Sequence, residues 1–328
     1  MTVPTPGKYG KRPPKRAAAL NFASLFTGTV PPHPDRVDYL ARLSNWEMLG
    51  NNVAGNCVAV SASNFRRLVT AVLGTKEEYP DLDWVWRVYA TQNPDFNPNG
   101  SPDTNGPGSD ADRGMDIQTL LEYLHKTGTP DGVKVVCFGK VPVTDPDAVD
   151  AALAIFGGLW MGMNVTQANE AQFSRGQSWE YVPGSPNVGG HSVLAGGYNP
   201  GVRFVTWATE TESTDRFVTA QVDELWVVVW PEHLNTKAFM EGVDQRKLAD
   251  TYTALTGRPF PVQPTPPVPV PPDPVPPSPV DVDSQLAAAA HQWLRHRWHT
   301  HSQTETLRGA LADWMDTNYP SSGGHRRG

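Results

Sequence analysis

Gly50-Asn51-Asn52-Val53-Ala54-Gly55-Asn56-Cys57-Val58-Ala59 turns through two glycines and runs straight into a helical period. Val60, Phe65, Leu68, Val69 and Val72 recur at threes and fours until Gly74 stops them. The spacing predicts a helix whose first residue is Cys57. A thiol there sits at the positive end of the helix dipole, beside N–H groups that the helix leaves unpaired. Both favour a thiolate and, later, an anionic oxygen. Far downstream, Val188-Gly189-Gly190-His191-Ser192-Val193-Leu194-Ala195 reads as a strand that His191 opens, with its ring projecting from the strand end. The order and distance suit a thiol–imidazole pair: a cysteine on an early helix, a histidine well over a hundred residues later. Cys57 and His191 are therefore the candidate catalytic residues.

The composition bounds the rest. The 328 residues are long enough for one large domain plus a small one. A 39% apolar content and eleven tryptophans supply a sizeable core. A net charge of −7 argues against nucleic acid as a partner. Two cysteines exclude a disulfide framework, and no run of eighteen apolar residues exists to span a membrane. Lys8, Lys11, Arg12, Lys15 and Arg16 near the start are followed by no apolar stretch, so they do not read as a secretory signal. They read as a solvated basic arm, the alternative being docking on an acidic surface.

Four segments follow from the composition shifts: a basic extended arm over 1–40, a main domain over 41–256, a linker over 257–283 and a helical tail over 284–328. Within the main domain Trp84, Trp86, Val88 and Tyr89 suggest a second, strongly apolar helix or turn before Asn93. Residues 94–114 form a long polar loop whose Asp103, Asp110 and Asp112 do not match calcium-loop spacing, so no metal site is assigned. Asp116 caps a helix through Leu120, Leu121 and Leu124, and Asp145 or Asp147 opens another that ends at Gly157-Gly158. Val133–Phe138 reads as a strand holding Cys137 as a small buried hydrophobe. Further strands are expected at Leu159–Val165, Trp179–Tyr181, His191–Tyr198, Arg203–Ala208 and Glu224–Trp230. A helical first half and an antiparallel second half make an α+β domain with two lobes.

From Pro259 to Pro279 more than half the residues are proline, which favours a stiff polyproline spacer. Few basic flanks support a proline-motif ligand role. Beyond it, Leu286, Ala289, Ala290, Trp293 and Leu294 share one helix face, and Leu307, Ala310, Leu311 and Trp314 another. This hairpin is too small for a confident independent fold and is expected to self-associate or dock on a partner. His291, His296, His299, His301 and His325 crowd it without a completing carboxylate or cysteine set, so they read as solvated or pH-responsive.

Across about residues 40–235 the chain resembles the papain-like cysteine peptidases, and most closely a divergent branch found in actinobacteria and their bacteriophages. Gly55-Asn56-Cys57 matches the Gly-x-Cys context of that family's nucleophile, and Ala59 its following alanine. Asn51 stands where the family places a glutamine that completes the oxyanion hole, an amide one methylene shorter. His191 matches the family histidine, and Trp207 in Val205-Thr206-Trp207-Ala208 the tryptophan that shields it. The family's imidazole-orienting asparagine is replaced by Val205. Thr206, or an acid such as Glu210, takes its place, or the site runs as a dyad.

The resemblance implies a papain-like two-lobed domain that cleaves amide bonds through a thiolate–imidazolium pair, with no cofactor and no metal. The substrate would be a protein or peptide, including the peptide stems of bacterial cell wall. Without an export signal, the expected location is the host cytoplasm or a virus particle if the chain is phage-encoded. The competing expectation is a non-catalytic or virion-associated structural protein that keeps the fold. Acyl transfer would use the same pair.

Overall fold

The fold follows from one antiparallel sheet with both faces covered, in a computed structural model that describes residues 4–14, 33–74, 76–199 and 201–235 together with the isolated positions 249 and 253. The proline-rich spacer and the helical tail expected beyond residue 257 lie outside the described residues. The chain divides into two units at Pro264, and everything below belongs to the first.

Helices dominate the first half. After a short strand β1 (Val37–Asp38) come α1 (Cys57–Val72), α2 (Leu82–Ala90) and α3 (Ile117–Lys126). Asp116 caps α3 as expected, accepting from the Thr119 amide at 2.7 Å, and Asp81 caps α2 by accepting from the Trp84 amide at 2.9 Å, each satisfying a donor that the helix leaves open. Next come β2 (Cys137–Lys140) and α4 (Pro146–Phe156), the latter capped by Asp145 and ended by Gly157 in the left-handed region at φ 72°. The second half runs β3 (Leu159–Thr166), α5 (Gln167–Ser174), β4 (Asn187–Tyr198), β5 (Val202–Thr206), β6 (Thr209–Glu212), α6 (Asp215–Gln221) and β7 (Val222–Val229). The strands lie in the order β2-β7-β3-β4-β5-β6, and β1 also pairs with β4.

Alternation along the strands sends side chains to two cores. Met161, Met163, Val193, Phe204, Leu225 and Val227 pack on one face with Leu153 and Phe156 of α4. Trp160, Leu194, Val205, Trp226 and Val228 pack on the other against Phe65 and Leu68 of α1. Because both faces are covered, the strands read in sequence as nearly continuous apolar runs. Helix α1 is buried almost all round, even at Arg66 and Arg67. Arg66 is held by two bonds of 3.0 Å to Glu232, and Arg67 by Glu77 at 2.7 Å.

The sequence reading needs four corrections. The strand expected over Val133–Phe138 exists only as Cys137–Lys140, because Val133 and Val135 spend their backbone bonds on Thr129 and on Leu124 of α3. Trp179–Tyr181 is a single bridge from Trp179 to Ser213. The strand expected over Arg203–Ala208 ends at Thr206, since Trp207 and Ala208 take positive φ of 44° and 60° to turn into β6. Strand β4 begins at Asn187, so His191 lies within it opposite Met163 and does not project from its end.

Candidate active site

The sheet brings His191 against the start of α1. Cys57 is the first residue of that helix, and Asn56 before it makes no side-chain cap. Its amide instead donates to the Leu49 carbonyl at 2.9 Å, tying down the turn. A buried relay fixes helix to strand directly beneath the site. Trp160 donates to the Ser192 hydroxyl at 2.8 Å, Ser192 to Ser61 at 3.1 Å, and Ser61 to the Cys57 carbonyl at 2.8 Å. Cys57, His191, Asn51, Thr206 and Trp207 line one small cavity, so the residues picked from sequence converge in space.

The imidazole of His191 is held on two sides. Its Nε2 lies 2.8 Å from the Thr206 hydroxyl, and Trp207 stacks on the ring with centroids 4.7 Å apart and planes at 29°. Of the candidates for holding the ring, Thr206 is the one that touches it. Glu210, the other candidate for that place, instead accepts from the Trp46 indole at 3.0 Å. The Nδ1 of His191 is buried without a hydrogen-bond partner. Such orphan nitrogens are rare in a settled core and mark a group with unused capacity.

The N-terminal segment fills the cleft. Lys8 donates its amide to the Asn51 carbonyl at 2.6 Å, and the Gly10 and Lys11 amides both reach the Gly190 carbonyl, at 3.2 and 3.0 Å. On the opposite wall Met115 donates to the Gly10 carbonyl at 2.7 Å and Arg12 to the Met115 carbonyl at 2.8 Å. The segment is thus extended chain that makes a single parallel bridge, Lys11 to Met115, and joins the helical half to the sheet. Tyr9 adds edge contacts to the rings of His191 and Trp207 and donates to Glu170 at 2.5 Å. The approach is so close that a Cβ at Gly10 would sit 1.8 Å from the Gly55 carbonyl oxygen, which only glycine avoids. Lys11 is buried on Asp223 and Glu224, so docking on acidic groups describes it better than a solvated arm.

Under this cover neither catalytic candidate is charged. Burial pushes the Cys57 thiol up to about 11, partly offset by the Ser192 and Gly10 amides, the Lys11 charge and the Lys11 amide. Burial also pulls His191 down to about 3. The expected thiolate–imidazolium pair is therefore not the form in the covered cleft, because two new charges there would lack water. Asn51 is likewise engaged: its Nδ2 donates to the Lys8 carbonyl at 3.0 Å and to the Ala54 carbonyl at 3.2 Å.

One supporting residue escaped the sequence reading. Asp112, lost among the acids of the long loop, accepts from the Gly55 amide at 3.0 Å and from the Tyr89 hydroxyl. It pins the loop just ahead of the nucleophile, and nothing in its spacing sets it apart from Asp103 or Asp110.

Comparison with known proteins now has a geometry to meet. No family model and no curated protein matches the chain. Among solved structures it is similar to xylellain, a cysteine protease from Xylella fastidiosa, with a TM-score of 0.52 and 14% identity over 70% of this chain and 98% of that one. The fold is papain-like. Procathepsin B S9 from Trypanosoma congolense (TM-score 0.45, 10% identity, 68% and 86% covered) and procathepsin L 3 of Tenebrio molitor (0.44, 12%, 70% and 76%) also match. At these identities the papain-like likeness concerns the fold, and the chemistry has to be argued from the site.

Proposed function

We propose that the chain is a papain-like cysteine hydrolase of amide bonds, held latent by its own N-terminal segment. The observation that carries this reading is one small cavity lined by both a helix-start thiol and a buried imidazole whose Nδ1 has no partner while Thr206 holds its Nε2. With Nε2–H donating to the Thr206 hydroxyl, Nδ1 is left as the basic nitrogen. It takes the Cys57 proton once the segment leaves and water returns. The thiolate adds to a peptide carbonyl, and the Cys57 amide and Asn51 Nδ2 hold the resulting oxyanion. Each such donor contributes about 2.7–4 kcal/mol in a comparable hole. The imidazolium then protonates the leaving amine, and a water molecule, deprotonated by His191, cleaves the thioester to release the acid. Asn51 already donates to a peptide carbonyl, that of Lys8, which is the role it would play toward substrate.

The wider expectations stay attached to this reading: a protein or cell-wall peptide substrate, and a phage-encoded or virion-associated setting. A non-catalytic scaffold rested on Val205, and Thr206 removes much of that argument by bonding His191. The test is a digest of denatured protein beside peptidoglycan, with the full chain carrying Lys11→Glu to release the segment and with the same chain also carrying Cys57→Ala. New amine ends made only by the chain that keeps Cys57 support the proposal. Equal release by both chains sinks it.

A further inference from the structure

Beside the thiol, the side chain of Lys11 enters a closed acidic slot. Its Nζ lies 2.6 Å from both carboxylate oxygens of Asp223 and 3.3 Å from Oε1 of Glu224, and the side chain is 1% exposed. Glu224 is fully buried. Its Oε2 accepts from the Trp226 indole at 2.8 Å, whereas Oε1 has no hydrogen-bond partner and faces the ammonium. An uncharged side chain in the slot would leave the buried Glu224 and the partly exposed Asp223 without a cation, which is costly at Glu224. The slot exists because residue 162 is glycine. A Cβ there would stand 2.6 Å from Lys11 Cε and 2.7 Å from Glu224 Cγ. The same residue whose side chain fills the slot has its backbone against Gly190, one residue from His191.

We propose that Gly162, Asp223 and Glu224 form a side-chain subsite for a residue ending in a primary ammonium, lysine above all, and that Lys11 occupies it as a pseudosubstrate. The proposal rests on the reading of Cys57 as the nucleophile of an amide hydrolase and names the class of peptide that it takes. Alignment in the cleft needs only backbone bonds, and the segment already has those to Asn51, Met115 and Gly190. A slot with two acids, one of them fully buried, and a glycine wall adds something different, which is discrimination. An incoming lysine replaces Lys11 at no new desolvation of the carboxyl groups, and a neutral residue cannot.

The test uses the full chain carrying Lys11→Glu, which places a third acid in the slot and vacates it. Gly10→Val, which collides with Gly55, is a second route to the same state should the first variant not fold. Two peptidyl acyloxymethyl ketones are compared, identical except for lysine or norleucine at the residue next to the reacting one. Mass spectrometry follows modification of Cys57. The lysine probe is expected to react at least tenfold faster, with that preference lost on Asp223→Asn or Glu224→Gln. Equal rates overturn the subsite and leave Cys57 standing as a nucleophile. A second measurement needs no reactive thiol: calorimetric binding of the unreactive lysine and norleucine peptides to the same chain with Cys57→Ala. A preference for lysine retains the subsite even if neither ketone marks Cys57, whereas equal or absent binding overturns it.

Discussion

Among the described residues two cysteines and two histidines are wholly buried, and they differ in what is left over. Cys137 lies in β2 with its thiol pushed up to about 12 by burial alone, and His233 is buried with both ring nitrogens engaged. His233 Nδ1 accepts from the Trp230 amide at 3.0 Å and Nε2 meets the Phe156 carbonyl at 2.9 Å. Cys57 and His191 are just as buried, yet amides and a lysine charge bear on the thiol and one imidazole nitrogen has no partner. Burial alone does not separate a reactive group from a core group. The contacts on the thiol and the unpaired imidazole nitrogen do set the two pairs apart, and both lie beside the N-terminal segment.

The comparison breaks most visibly on amide cleavage. In the Lys11→Glu chain, where the segment is released, Cys57→Ala should lower cleavage by at least about ten-thousandfold, as loss of a nucleophile does in other covalent hydrolases, while Cys137→Ala leaves it within about twofold. A chain in which the two substitutions act alike would erase the distinction. Release of amine ends is the readout.

Acid sharpens the comparison next. His191 is drawn down to about 3 and His233 to about 4, so both stay neutral in the fold and take up a proton on unfolding below about 6.5. Their contribution is present above that pH and is lost as pH falls through the folded values. By pH 4 each histidine should withdraw on the order of 3 kcal/mol, since a pKa unit is worth about 1.4 kcal/mol. Urea melts from pH 7 to 4 read this. In Lys11→Glu, where His191 regains water, its share should shrink while that of His233 stays.

A smaller effect is expected at Thr206. Thr206→Val keeps the shape but removes the hydroxyl 2.8 Å from His191 Nε2. Cleavage should fall about ten- to a hundredfold, part of what positioned proton transfer contributes, with a shifted pH profile and an unchanged melt. Thr206→Ser should recover most of the loss.

Much of this site was legible in the chain and some was not. Cys57 and His191 announce themselves because glycine-flanked reactive residues at a helix start and on an apolar strand have few packing uses, whereas Trp207 stood out only through the resemblance to the papain-like family. Thr206 was one of several candidates for holding the ring, and only the turn at Trp207 and Ala208 chooses it over Glu210. Helices α5 and α6 and strand β6 were missed because Gln167–Ser174 and Thr209–Glu212 are short and polar, without a period to read. The place where the arm docks was invisible for another reason. Lys11 and Asp223 lie 212 positions apart, and no local pattern links them.

The most direct test of the latent-site account is the iodoacetamide labelling rate of Cys57 and Cys137 in one sample at neutral pH, in the parent chain and in Lys11→Glu. The account predicts that Cys57 is slow in the parent chain and at least about a hundredfold faster in the variant, since a thiol moved from about 11 toward an ordinary value gains that much thiolate. Cys137 should stay slow in both. An unchanged Cys57 rate, or an equal rise at both cysteines, would contradict it.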